Sequence, residues 1–139
     1  MPLTRSSILA LDVGEKRIGV AVASVVARLP RPLTTLARDD RFFVALEDLV
    51  KTEDAGTIVV GLPRGLSGQE TRQTAAIEEF VTELKQHFDL PIHLQDEALT
   101  SAQAEAELEK SGKMYNRGDI DALAATYILE DFLLEHKEL

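Results

Sequence analysis

Three strand-like segments follow one another in the first third of the chain, and this succession constrains the fold more than any other feature. Residues 6–13 are apolar on both faces of a strand, which is typical of a buried strand. The tight turn Gly14-Glu15-Lys16 leads to a second strand over 18–23, so an antiparallel hairpin is predicted. Prolines at positions 30 and 32 break the chain before a third short strand over 33–37. The chain is therefore expected to open with three antiparallel strands.

Helical and strand patterns alternate through the rest of the chain. Asp39 or Asp40 is placed to cap a first helix, whose apolar positions are Phe43, Leu46, Leu49 and Val50. Two further strands are predicted over 57–60 and 91–95. The helix between these strands has an apolar stripe at helical spacing, formed by Ile77, Phe80, Val81, Leu84 and Phe88.

Two helices are predicted to end the chain. One runs from Thr100 to about Lys110, and the other from its cap at Asp119 to about Glu135. The predicted order is thus β-β-β-α-β-α-β-α-α in one α/β domain over 1–139, with a mixed sheet and helices on both faces. The ribonuclease H-like architecture has this order. Sites in such sheets form at the carboxyl ends of strands.

Three acidic residues lie where acids are locally unexpected: Asp12, Glu97 and Asp121. Asp12 ends the apolar run Ile8-Leu9-Ala10-Leu11, and Glu97 follows the strand-like run over 92–95. Asp121 shares a helical line with three apolar residues, Ala125, Ile128 and Phe132, on the face expected to meet the sheet. A carboxylate at the end of a core element is costly unless it is hydrogen-bonded, paired or bound to a metal. These acids therefore suggest one shared site for a hard cation such as Mg²⁺ or Mn²⁺.

Each acid also has a structural interpretation. Asp12, followed by Val13 and Gly14, fits a turn in which the carboxylate bonds its own backbone. Glu97 fits a solvated acidic loop before a helix. Any acid in the first turn of a helix gains about 0.3–1 kcal/mol from the helix dipole, but the dipole does not explain why Asp121 should face inward. We therefore assign a functional role to Asp121 and an N-cap role to Asp119.

Basic residues lie in or beside predicted loops near these acids: Lys16, Arg17, Arg64, Lys113 and Arg117. An ordinary surface charge is the simpler interpretation of each one alone. Arg64 lies in a Gly/Pro-rich loop after a strand, a place where ligand-contacting residues are common. The net charge of −9 argues against binding of nucleic acid by bulk charge alone, but it permits a local basic rim.

Composition excludes several kinds of site. Cysteine is absent, which excludes disulfides, thiolate chemistry and cysteine-based zinc sites. His87, His93 and His136 lack metal-ligand spacing and are expected to be structural or solvated. No phosphate-loop or dinucleotide-binding pattern follows a strand. Because no membrane span or signal peptide is visible, we expect a cytoplasmic protein without a membrane partner, either a monomer or a weak homodimer.

Four segments resemble the motifs of one protein family, in the same order along the chain. These segments are Asp12-Val13-Gly14-Glu15-Lys16-Arg17-Ile18-Gly19-Val20-Ala21, Ile58-Val59-Val60-Gly61-Leu62-Pro63, Asp96-Glu97 with Leu99-Thr100-Ser101, and Asp121-Ala122-Leu123-Ala124-Ala125 with Ile128-Leu129. The chain resembles the YqgF/RuvX family, whose members are described as Holliday junction resolvases or pre-16S rRNA nucleases. The resemblance covers almost the whole chain.

This resemblance implies a ribonuclease H-like fold and metal-dependent hydrolysis of phosphodiester bonds by a two-metal mechanism. It places the acidic triad of the family on Asp12, Glu97 and Asp121, with Mg²⁺ or Mn²⁺ as the cofactor. Lys16, Arg17, Arg64 and Arg117 are the candidate contacts to substrate phosphate. The implied substrate is an rRNA precursor, with branched DNA as the alternative. One position departs from the family pattern, since Ala98 stands where an arginine is usual.

Two other classes of protein compete with the nuclease hypothesis. The acidic charge balance and Ala98 favour a non-catalytic module that binds nucleic acid or protein. An Asp-x-Gly sequence after a strand also opens actin-like ATPases, but these need two such domains and 139 residues are too few. Metal-dependent cleavage would separate the nuclease from the binding module.

Overall fold

The computed structural model describes residues 6–63, 72–97, 101–112 and 114–137, without the side chains of residues 63, 72, 73, 97 and 101–103. Its elements are β1 (Ser7–Val13), β2 (Arg17–Ser24), β3 (Arg31–Ala37), α1 (Phe42–Thr52), β4 (Ala55–Pro63), α2 (Arg72–His87), β5 (Ile92–Glu97), α3 (Ser101–Ser111) and α4 (Arg117–Glu135). This is the predicted order of strands and helices. None of the helices in this part of the chain combines the length and apolarity that crossing a membrane requires.

The five strands form one mixed sheet in the order β3-β2-β1-β4-β5. β1 pairs with β2 and β2 with β3 in antiparallel fashion, whereas β4 runs parallel to both β1 and β5. The carboxyl ends of β1, β4 and β5 therefore meet at one edge of the sheet, the edge at which β2 begins. The mixed α/β fold predicted from the sequence is confirmed.

Helices cover both faces of this sheet, as predicted. On one face, Leu9 and Leu11 of β1 pack in a large aliphatic cluster with α1 and α2. Ile8 and Ala10 point to the opposite face and pack against α4. The predicted apolar stripe of α2 is buried in the first cluster, apart from Phe88, which is partly buried. The two clusters follow from the alternation of side chains along β1.

Helix α4 lies unusually close to β2. The residues of β2 on this face are small, and a Cβ atom at Gly19 would overlap the backbone carbonyl of Asp121 and lie 2.8 Å from the nitrogen of Ala122. Ala21 and Ala23 follow Gly19 on the same face and belong to the cluster beneath α4. Only glycine permits the backbone of α4 to approach the strand this closely at position 19.

Two predicted boundaries were wrong, each for a local reason. Pro32 does not precede β3 but lies inside it. The pairing of β3 with β2 is irregular there, because its register shifts between the consecutive residues Val20 and Ala21 of β2. A proline is tolerated there because β3 is at the edge of the sheet and its pairing is irregular. Neither Asp39 nor Asp40 is the N-cap of α1: that position is Arg41, whose backbone N–H donates to the Asp39 carboxylate at 2.9 Å.

The N-cap of α4 was also predicted wrongly. Asn116 is the N-cap, and its side chain accepts a hydrogen bond from the backbone N–H of Asp119 at 2.9 Å. Asp119 reciprocates, since its carboxylate accepts from the backbone N–H of Asn116 at 3.0 Å. The two residues form a capping box, so Asp119 has a structural role as the third residue after the N-cap, and the N-cap lies three residues earlier than predicted.

The substitution Gly19→Ala tests the close approach of α4. We expect it to lower the free energy of unfolding by about 1–3 kcal/mol, because the new methyl group meets rigid backbone and the helix must shift. Urea denaturation measures this loss. Gly118→Ala is the matched control at the same helix: its nearest neighbour is the Asn116 side chain at 3.1 Å, and the change should stay within about 1 kcal/mol. Equal, small effects of both substitutions would contradict the close approach.

Candidate active site

Asp12 lies near the carboxyl end of β1, on the sheet face that α4 covers. It pairs with Gly19 of β2 and is two residues beyond Ala10, which packs against α4. Its side chain is partly buried. Asp12 is therefore not a residue of an open turn; the turn that connects the two strands begins at Gly14, whose N–H donates to the carbonyl of Arg17 at 2.9 Å.

Asp121 reaches the same place from α4. The three residues on its helical line, Ala125, Ile128 and Phe132, are all buried, as the sequence pattern predicted. The backbone of Asp121 lies against Gly19, the cross-strand partner of Asp12. Two aspartates that are 109 positions apart in the sequence thus flank one glycine.

The environment of Asp12 disfavours its ionised form. Burial, and then the negative charge of Asp121, raise the pKa of Asp12 from its ordinary value of 3.8 to about 6. A buried acid whose ionised form is disfavoured by a second acid needs a positive charge nearby to ionise at low cost. The pair is consequently a place where a cation would be stabilised.

One positive charge already contacts this pair. The Arg17 Nε donates to Oδ2 of Asp121 at 2.7 Å, a charge-assisted hydrogen bond. The Arg17 side chain is 37% exposed, whereas that of Asp121 is 18% exposed. Arg17 had been predicted as a phosphate contact, but in this structure it binds one of the candidate catalytic acids.

The third predicted acid, Glu97, is the last residue of β5, where it pairs with Pro63 of β4. In the sheet, β4 lies between β1 and β5, and the carboxyl ends of these three parallel strands lie at the same end of the sheet. The side chain of Glu97 lies outside the described residues. Convergence of all three acids on one cleft therefore stays a prediction, and the structure brings together Asp12 and Asp121.

The other predicted phosphate contacts have different surroundings. Lys16 is exposed in the connection between β1 and β2, and Arg117 is exposed at the first position of α4. Arg64 and Lys113 lie outside the described residues. Arg38, which the sequence analysis missed, reaches the same connection: its guanidinium donates to the carbonyl of Gly14 at 3.0 Å. Its backbone N–H donates to the carbonyl of Lys16.

A groove of about 690 Å³ adjoins the acidic pair. It runs from Arg17 along the edge strand β3 to the start of α4, and its polar lining includes Thr34, Thr35 and Asn116. The Thr35 hydroxyl donates to the carbonyl of Gly118 at 2.6 Å and so ties the wall of the groove to the helix that carries Asp121. Arg17, which contacts Asp121, is thus part of the groove lining.

The histidines pack against aromatic rings at other places in the fold. His87 stacks on Phe43 with ring centroids 4.0 Å apart. His136 stacks on Phe132 at 4.0 Å, and His93 contacts both of those rings. Within the described part of the chain, which does not include the side chain of Glu97, no three acidic or histidine side chains form a group suited to a metal.

Sequence reasoning missed two residues that shape the site. Gly19 was noticed only as part of a motif, although a glycine inside a strand often marks a close backbone approach. Asn116 was assigned to a polar loop, although Asn-x-x-Asp is a capping signal. The partner of Arg17 had no sequence signal, because the two residues are 104 positions apart.

The raised pKa of Asp12 predicts an unusual pH dependence of stability in metal-free buffer. The folded protein binds a proton at Asp12 more tightly than the unfolded chain does, so stability falls as the pH rises from about 4 through about 6. Above that range the penalty corresponds to about 3 kcal/mol. Asp12→Asn removes it, and we expect the variant to melt several degrees above the wild type at pH 7.5 but near it at pH 4.

Thermal melts in EDTA across this pH range provide the measurement. The difference between variant and wild type isolates Asp12, because all other titrating groups are shared. Asp48→Asn, at an exposed site on α1, is the control and should give a small, pH-independent difference. Parallel melting curves for wild type and Asp12→Asn would show that Asp12 ionises normally.

Comparisons with known proteins agree with this architecture. The family model described as "RuvX: Holliday junction resolvase" matches residues 6–135. A protein of Sulfurihydrogenibium sp. (strain YO3AOP1), named "Putative pre-16S rRNA nuclease", is 40% identical over 130 residues, which are 92% of this chain and 90% of the relative. A protein of Chloroflexus aggregans with the same name is 39% identical over 135 residues, or 94% and 95% of the two chains.

Two solved structures share the fold at low sequence identity. RuvC of Thermus thermophilus in complex with a Holliday junction substrate has a TM-score of 0.57 at 13% identity, covering 96% of this chain and 97% of RuvC. The fowlpox virus resolvase in complex with Holliday junction DNA has a TM-score of 0.55 at 10% identity, covering 96% and 99%. These likenesses identify the fold as ribonuclease H-like, and the family match and the close relatives show that the chain belongs to the RuvX family.

Proposed function

We propose that this chain is a metal-dependent nuclease that hydrolyses phosphodiester bonds in structured nucleic acid. The observation that carries the proposal is the meeting of Asp12 and Asp121 across Gly19, at the sheet edge where the carboxyl ends of the parallel strands lie. Its relatives at 39–40% identity are named as nucleases, which supports the same reaction here. The natural substrate that we favour is the precursor of 16S rRNA, trimmed at its 5′ end during ribosome assembly.

The residues present fit Mg²⁺ or Mn²⁺. Both ions prefer carboxylate oxygen ligands, and the Asp12–Asp121 pair offers two carboxylates in an environment that disfavours negative charge. Glu97 is the proposed third ligand. The backbone of residue 97 ends β5, at the end of the sheet where the carboxyl ends of β1 and β4 also lie.

The side chains of the protein bind and orient the substrate in this proposal. A divalent ion held by the three acids would supply an activated water and would stabilise charge on the reacting phosphate. Lys16, Arg17, Arg64 and Arg117 would contact the neighbouring phosphates. Among those that the structure describes, Arg17 already contacts Asp121.

The choice between RNA and DNA rests on the relatives. The names of the curated relatives specify pre-16S rRNA, whereas the solved structures that share the fold contain Holliday junction DNA and are only 10–13% identical. Greater identity favours RNA, with a branched DNA junction as the second candidate. A non-catalytic binding module is the third, and Ala98, which lies outside the described residues, is the departure that favours it. We also propose a cytoplasmic location and a monomer or weak homodimer.

Cleavage assays test this function. The purified protein is incubated with a pre-16S rRNA fragment, a four-way DNA junction and unstructured strands of both kinds, in Mn²⁺, Mg²⁺ or EDTA. We expect cleavage of structured RNA that requires the metal, and its loss in Asp12→Asn and Asp121→Asn, because asparagine keeps the shape but removes the charge that holds a cation. Both variants should remain folded.

Asp119→Asn is the matched control, because Asp119 lies two residues from Asp121 but belongs to the capping box. Asparagine still offers an oxygen to the N–H of Asn116, so both stability and cleavage should be retained. Failure of the wild type to cut any of these substrates would support the binding module. Loss of cleavage in Asp119→Asn with unchanged stability would show that the wrong aspartate was assigned to the site.

A further inference from the structure

The contact between Arg17 and Asp121 points to a role for Arg17 that goes beyond a static phosphate contact. The Nε of Arg17 donates to Oδ2 of Asp121 at 2.7 Å, so the guanidinium lies beside a carboxylate that the proposed function assigns to a divalent cation. Two cations cannot share the same side of a carboxylate oxygen without strong repulsion. Binding of a divalent cation by this oxygen therefore requires the arginine to move.

We propose that Arg17 is the internal counter-cation of the acidic site, which a divalent metal displaces and thereby releases toward substrate phosphate. This proposal rests on the proposed function, since it takes Asp121 as a metal ligand. Arg17 stabilises Asp121, which lies close to the second carboxylate, Asp12. The arginine thus offsets part of the negative charge of the acidic site.

The surroundings of Arg17 allow it to leave. Its side chain is 37% exposed, and its partner Asp121 is the more enclosed of the two at 18%. Arg17 is also the first residue of β2, next to the exposed connection of the hairpin. An ion pair with this exposure contributes little to stability, so a divalent cation can break it at small cost.

The released guanidinium has a defined destination. Arg17 lines the 690 Å³ groove beside β3, together with Thr34, Thr35, Asn116 and Asp119, whose carboxylate is held in the capping box. A planar guanidinium at the end of this groove would bind a phosphate of a nucleic acid strand with two parallel hydrogen bonds. Metal binding would in this way free a phosphate-binding group next to the metal.

If the metal displaces Arg17, removing Arg17 should change the metal affinity in the direction opposite to that expected if Arg17 only orients Asp121. If Arg17 competes with the metal, Arg17→Gln should bind Mn²⁺ about two- to fivefold more tightly than the wild type, the factor that corresponds to breaking a partly exposed ion pair. If Arg17 instead orients Asp121 for the metal, the same substitution should weaken binding. Isothermal titration calorimetry of the full chain with Mn²⁺, without nucleic acid, separates the two.

Arg38→Gln is the control for the change in net charge. Arg38 contacts the carbonyl of Gly14 on the same hairpin connection, and its guanidinium lies over the ring of Phe80 at 5.4 Å. This substitution also removes one positive charge from this end of the sheet but breaks no contact with Asp121. We expect it to change the Mn²⁺ affinity by less than Arg17→Gln does. An equal gain in both variants would show that only the general charge matters and would overturn the exchange.

A spectroscopic measurement tests the displacement itself. In ¹⁵N spectra, the Nε–H resonance of Arg17 should shift on titration with diamagnetic Mg²⁺, toward its position in Asp121→Asn, where the pair is already broken. The corresponding resonance of Arg38 should not move. An Arg17 resonance that stays fixed while Mg²⁺ saturates the site would overturn the proposal but leave the nuclease function intact. Absence of any Mn²⁺ or Mg²⁺ binding would refute both.

Discussion

The site depends on one packing contact, the approach of the α4 backbone to Gly19 of β2. Asp121 can stand beside Asp12 only because no side chain separates the helix from the strand at this position. Small residues of the sheet also lie beneath other parts of the helix: Ala10, Ala21 and Ala23. The large residues Ile128 and Phe132 come from α4 itself. Packing of small residues on the sheet against large ones on the helix thus fixes the position of a carboxylate.

The acidic pair lowers the stability of the fold, and packing in the rest of the molecule offsets this loss. Burial and the neighbouring Asp121 disfavour the ionised form of Asp12, and a site that is destabilising in the empty protein is common where function requires a charge cluster. The opposite face of the sheet carries no comparable cluster in the described residues; its core is continuous and mainly aliphatic, and the rings of Phe42, Phe43 and Phe80 contact one another within it. Stability and chemistry are therefore separated onto the two faces of one sheet.

Sequence reasoning predicted what periodicity determines. The alternation in β1 and the helical line of Asp121 were sufficient to assign both acids to a shared face, since burial of Ala125, Ile128 and Phe132 fixes the orientation of that helix. It failed where the outcome depends on contacts between distant segments. Pro32 is accommodated by an irregular edge pairing, and the ion pair of Arg17 joins residues from opposite ends of the chain. Neither contact can be predicted from the spacing of residues within one segment.

The position of the basic residues explains how a chain with a negative net charge can bind a nucleic acid substrate. The net charge of −9 repels phosphate at long range, but at physiological salt such repulsion is screened beyond about 8 Å. Lys16, Arg17 and Arg38 all meet at the hairpin connection that adjoins the acidic pair. Binding through so few cations would give modest affinity and a shallow salt dependence, because few counterions are released. Discrimination among substrates would then depend on the shape of the nucleic acid that brings a phosphate to this corner of the sheet.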